Sequence, residues 1–120
     1  MAKYVDGYVL PVPKRNLKAY QKIAAQAGKL WLEHGALDYR ECAGDDLNTQ
    51  MAMSFTRGMK LKSGETVVFA YVVFKSRAHR DKVNAKVMKD SRINEMCDPK
   101  SMPFDAKRML YGGFTTIVGK

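Results

Sequence analysis

Cysteine, histidine and tryptophan are scarce in this chain of 120 residues, with two, two and one respectively. Neither His34 nor His79 stands at ligating distance in sequence from another His, Cys or carboxylate, so no metal site is expected. His34 falls where a helix should end and reads as a cap beside the helix dipole, and His79 reads as solvent-facing in the first turn of a second helix. Cys42 and Cys97 lack a CxxC context and can close at most one bridge, so both are read as reduced structural thiols. No Ser-His-Asp or Cys-His arrangement signals a nucleophile. Gly112-Gly113 lacks the following Gly or Lys-Ser/Thr of a nucleotide loop and reads as a bulge in a strand. No apolar run approaches the ~20 residues that span a bilayer, and strand-like sequence starts directly after Lys3, so a soluble, cytoplasmic chain with no membrane partner is expected.

What is present is a rich supply of β-forming sequence. Val67 to Phe74 are eight consecutive apolar residues, preceded by Glu65-Thr66 and followed by Lys75-Ser76. A strand with helices on one side and water on the other alternates apolar with polar; this one offers apolar groups to both faces, so something must cover the second face. In a single domain of residues 1–120 the expected cover is a second copy of the chain. Around this strand the pattern predicts a first strand from Tyr4 to Val12, with Gly7 at a bulge or a close contact. A helix follows from Lys14 to His34, stopped by Gly35, and a weaker strand runs from Ala36 to Ala43. Asp45 to Gly64 is too long for a structureless loop, and a strand extension or one helical turn is expected there, with Met51, Met53 and Met59 on the core. Ser76 caps a second helix to about Asp90; Pro99 and Pro103 break the next segment, and Leu110 to Val118 forms the last strand. The order βαββαβ predicts an α+β, ferredoxin-like subunit: a four-stranded antiparallel sheet with two helices on one face.

Several separated pieces carry a family resemblance: Glu65-Thr66-Val67-Val68-Phe69, Ser76 with Arg80-Asp81, Asn84-Ala85-Lys86-Val87-Met88, Met102-Pro103-Phe104-Asp105, and Tyr111-Gly112-Gly113-Phe114. With Tyr4-Val5-Asp6-Gly7 and Gly35-Ala36-Leu37 they span nearly the whole chain, which resembles the YbaA-like family of small bacterial proteins, a domain of unknown function. The resemblance implies a dimeric α+β barrel of ferredoxin-like subunits, a superfamily that includes monooxygenases of the antibiotic-biosynthesis type, heme-degrading enzymes and purely regulatory members. The chain departs from the family at Tyr71, at Phe74-Lys75 and at Ser91, where members usually carry Trp, Tyr-Pro and Pro.

Arg80, Val83, Asn84 and Val87 share one face of the second helix, which sets a guanidinium and a carboxamide among core valines. Their expected partners are Glu41, Asp105 and Arg108, with an Arg–carboxylate pair anchoring the irregular Met102–Met109 segment. The preferred reading is structural; the functional one is a pocket between sheet and helices in which Tyr71, Arg80, Asn84 and Arg108 hold a small anionic or carbonyl-bearing metabolite. No cofactor is expected. Three functions are carried forward: a homodimeric small-molecule-binding or accessory protein, a cofactor-independent monooxygenase-like or isomerase-like enzyme with Glu41 or Asp105 as base, and a weak RNA binder. The last rests on 21 basic against 12 acidic residues, a net charge of +9. Lys14, Lys18, Lys22 and Lys29 share one arc of the first helix, and Lys82, Lys86 and Lys89 share another on the second. No aromatic residue is interleaved for base stacking, so any nucleic-acid binding is expected to be weak and non-specific.

Overall fold

The first strand, β1 (Tyr4–Pro13), lies in the middle of the sheet rather than at its edge. The computed structural model describes residues 2–96, 98 and 102–119; the readings of Cys97 as a structural thiol and of Pro99 as a breaker fall outside the described residues. Four strands, β1, β2 (Asp38–Ala43), β3 (Glu65–Phe74) and β4 (Leu110–Thr115), form one antiparallel sheet in the order β2-β3-β1-β4. Between them lie α1 (Leu17–Glu33), entered through a short 3-10 turn, the single turn α2 (Phe55–Gly58), α3 (Arg77–Lys89) and α4 (Ser91–Met96).

Period-two alternation assigns the two faces. Tyr4, Asp6, Tyr8, Leu10 and Val12 of β1 and Val68, Ala70, Val72 and Phe74 of β3 turn towards the helices. One core cluster joins Leu30, Val72, Phe74, Val83, Val87 and Ile93; a second joins Leu10, Val12, Tyr20, Ala24 and Val68, and Tyr8 packs against both. On the opposite face Val5, Gly7 and Val9 lie beside Phe69, Tyr71, Leu110, Gly112 and Phe114, an apolar surface on which Phe114 remains 60% exposed. β3 therefore carries apolar side chains on both faces, as its composition predicts.

Local chemistry sets the element boundaries. The Ser76 hydroxyl accepts from the His79 N–H (3.1 Å) at the start of α3. Gly35, at φ +117°, ends α1 in a backbone conformation that disfavours a side chain, while the Ala36 N–H returns to the Trp31 carbonyl (2.9 Å). His34 stands at the C-cap as expected, with Nε2 2.9 Å from Asp90. His79 is partly buried instead of solvent-facing: its Nδ1 accepts from the Lys75 N–H (3.0 Å), and its ring meets Phe74 edge-on.

Four expectations are corrected. Asp45 to Gly64 contains one helical turn, yet Met51 and Met53 are 97% and 72% exposed rather than on the core. The last strand ends at Thr115, not Val118. Gly112 and Gly113 pair in continuous register with Gly7 and Asp6, so neither they nor Gly7 forms a bulge; the Phe114 ring lies over the bare backbone at Gly7, the close contact expected there. After Asp90 the chain forms a further helix, α4, whose Ile93 is buried against the core.

Candidate functional site

Arg80 and Asn84 are brought together as their spacing predicts, but their shared partner is Asp6, which sequence reasoning missed. Arg80 Nη1 donates to Asp6 Oδ1 (2.8 Å) and to the Tyr111 hydroxyl (3.1 Å), and Nε donates to Asp81 (2.8 Å). Asn84 Nδ2 and the Tyr111 hydroxyl each donate to Asp6 Oδ2 (3.3 Å), and the Asn84 oxygen accepts from the Trp31 indole (3.0 Å). The guanidinium also lies 4.9 Å from the centre of the Tyr4 ring. Asp6 is 0% exposed, and burial together with this charge raises the Tyr111 hydroxyl above its ordinary pKa. The signal was available: Asp6 is an acid on the β1 face that otherwise presents Tyr4, Tyr8, Leu10 and Val12.

The remaining candidates disperse. Arg108 makes a paired contact with both Glu65 oxygens (2.7 and 3.0 Å) and donates to the Lys60 carbonyl (3.1 Å). This is the Arg–carboxylate pair that anchors the Met102–Met109 segment; its hydrogen bonds, opposed by partial burial, hold the Glu65 carboxyl below the usual range. Asp105 is exposed and accepts from the Lys107 N–H (3.0 Å), capping a 3-10 turn. Tyr71 faces the opposite side of the sheet, edge-on to Phe69.

Glu41 is the exception. It projects from β2 towards α1, and its two oxygens accept hydrogen bonds from the hydroxyls of Tyr20 and Tyr39. Both hydroxyls are held well above the ordinary tyrosine pKa by burial and by the Glu41 carboxylate, and Tyr8 is raised by burial and by Asp6. These four residues line a cavity of about 150 Å³ between sheet and helices, walled by Ile23, Ala27, Trp31, Ala70, Val72, Met102, Phe104 and Met109 among others. It lies where the two core clusters meet around Tyr8. Tyr20 and Phe104 meet edge-on at 5.5 Å, and Trp31 and Tyr39 lie 6.1 Å apart. A cavity does lie between sheet and helices, but none of Tyr71, Arg80, Asn84 and Arg108 lines it; its polar groups are a carboxylate, tyrosines and a tryptophan.

Among the described residues no three His, Cys, Asp or Glu side chains gather as a metal site, and no helix is long and apolar enough to cross a membrane. Cys42 is a free, exposed thiol. Lys14, Lys18, Lys22, Lys29, Lys82, Lys86 and Lys89 are all exposed on α1, α3 and the turn before α1.

A solved structure, the de novo designed protein Foldit4, aligns over 98% of this chain and 99% of its own with a TM-score of 0.45 and 8% identity. The proteins named "Uncharacterized protein YbaA" of Escherichia coli (strain K12) and of Shigella flexneri are each 42% identical over 116 residues, covering 97% of both chains. Residues 3–106 match the family described as "Protein of unknown function (DUF1428)". By the extent of that match and the identity to YbaA, the chain belongs to the DUF1428 family of YbaA-like proteins.

Proposed function

We propose that this chain is one subunit of a homodimer of ferredoxin-like βαββαβ domains, and that the cavity beneath its helices binds a small molecule. The observation that carries the reading is Glu41, a carboxylate clamped by two tyrosine hydroxyls in the wall of an otherwise largely apolar cavity. Aromatic walls with a few convergent polar groups are the usual make-up of a ligand site, whereas a filled core leaves no space of this size. A carboxylate there disfavours the anionic ligand suggested by Arg80 and Arg108 and favours a hydrogen-bond donor.

The strand order β2-β3-β1-β4 supports the ferredoxin-like reading. The dimer reading is supported by the apolar face of Phe69, Leu110 and Phe114, which has no helix over it. The subunit measures 38 × 37 × 20 Å, and its radius of gyration of 15.1 Å exceeds the roughly 13–14 Å of a compact domain of this length. Those are the proportions of a slab with one side uncovered.

Native mass spectrometry of freshly purified protein tests both parts. A dimer carrying a small adduct supports the reading, a bare dimer favours an accessory role through protein contacts, and a monomer removes the homodimer. The cofactor-independent enzyme is the second reading, because Glu41 stands in the cavity wall where a base would be needed. Turnover of a retained adduct would distinguish it from a binding protein.

A further inference from the structure

The charge of the cavity is opposite in sign to the charge of the chain. Although the chain has 21 basic residues and a net charge of +9, among the described residues the cavity lining holds no lysine or arginine, and Glu41 is its one charged group. Among the described residues Glu41 also has no ion-pair partner: its contacts are the neutral hydroxyls of Tyr20 and Tyr39. A partly buried carboxylate without a cation is costly, and charged groups in such settings ordinarily acquire one. The aromatic rings of Tyr8, Trp31 and Phe104 share this lining, and an aromatic π system attracts a cation placed over its face.

Glu41 is also reachable from outside. Besides the cavity it lines two surface clefts along the seam between α1 and β2, one with Gln21 and Ala43 and one with Gly28 and Tyr39. The small residues Ala24 and Gly28 let β2 approach α1 at this seam; a methyl group on Gly28 would come within 2.8 Å of the Tyr39 ring. A volume of about 150 Å³ suits a single ring with a short substituent, since engineered apolar cavities of ~150 Å³ take up benzene.

We infer that the cavity selects a small ring-bearing amine, with its ammonium group set against Glu41 and its ring seated among Tyr8, Trp31 and Phe104. This rests on the reading of the cavity as a small-molecule site, and the test separates the two. Trp31 is the sole tryptophan and lines the cavity, so its fluorescence reports occupancy. Benzylamine, benzyl alcohol and benzoate, matched in shape and differing in charge, are titrated into the intact chain at pH 7. Benzylamine is expected to bind about tenfold or more tightly than benzyl alcohol, the difference of one charge-assisted hydrogen bond, with benzoate weakest. Glu41→Gln, with its fold checked by its amide spectrum, is expected to remove that preference, weakening benzylamine far more than benzyl alcohol. If benzyl alcohol binds as well as benzylamine, or the preference survives Glu41→Gln, the amine inference falls and the pocket stands. If none of the three binds, both fall. The ranking of the probes on the unsubstituted chain decides the matter even if the variant fails to fold.

Discussion

At Asp6 a buried carboxylate collects donors from two different elements, Arg80 and Asn84 of α3 and Tyr111 of β4, and so ties helix and sheet together through β1. Removing one partner of such a cluster strands the others. Asp6→Ala is expected to cost about 3 kcal/mol in urea denaturation, because it strips the Arg80 guanidinium, 13% exposed, of its buried carboxylate and leaves it only the exposed Asp81. Asp6→Asn should cost less, since an amide oxygen still accepts, and Asp6→Ala with Arg80→Ala should cost less than the two single changes added, the sign of direct coupling. Gly113 is a second sensitive point on the same network: any Cβ there would meet the Tyr4 hydroxyl, whose ring supports Arg80. Gly113→Ala should therefore lower the thermal midpoint even though alanine favours strand formation no less than glycine.

The Glu65–Arg108 pair links the start of β3 to the segment before β4 and makes a pH-dependent contribution whose sign follows from the direction of the shift. The folded state holds the Glu65 carboxyl below its ordinary value of 4.5, so the unfolded chain binds the proton more tightly. The stabilisation is complete above that ordinary value and is lost as pH falls through the lower, folded-state value. Urea midpoints of the native chain and Glu65→Gln should therefore differ at pH 7 and converge in acid. Much at this scale was legible in sequence. β3 was read within its observed bounds because eight apolar residues between Thr66 and Lys75 leave little choice, and Ser76 and Gly35 marked helix ends through local chemistry alone. What depended on distant pairing was not legible. Asp6 and Arg80 meet only because β1 lies inside the sheet beneath α3, and Tyr20 meets Glu41 only because α1 crosses β2. Met51 and Met53 failed differently: their apolar alternation was real, but both side chains stand exposed, largely uncovered by the described residues.

For the molecule as a whole, the uncovered sheet face is the feature that proposes a partner. Phe114→Glu places a charge on that face, on its edge strand β4, without touching the helix side; if the face joins two copies, sedimentation should report a single-subunit mass with an unchanged far-ultraviolet spectrum. The lysines of α1 and α3 form a separate basic surface, for which RNA retention that vanishes by about 200 mM salt is the expected behaviour of non-specific contacts. The position of β1 also governs how the chain is assembled. It is the first strand made, yet Tyr4 pairs with Phe74 on one side and with Thr115 on the other. On the ribosome this strand waits unpaired until β3 has been made, and its second ladder closes only once β4 has followed. Folding is therefore dominated by contacts between distant residues and should be slow, with the Tyr4–Pro13 strand open to pairing elsewhere until both its ladders have closed.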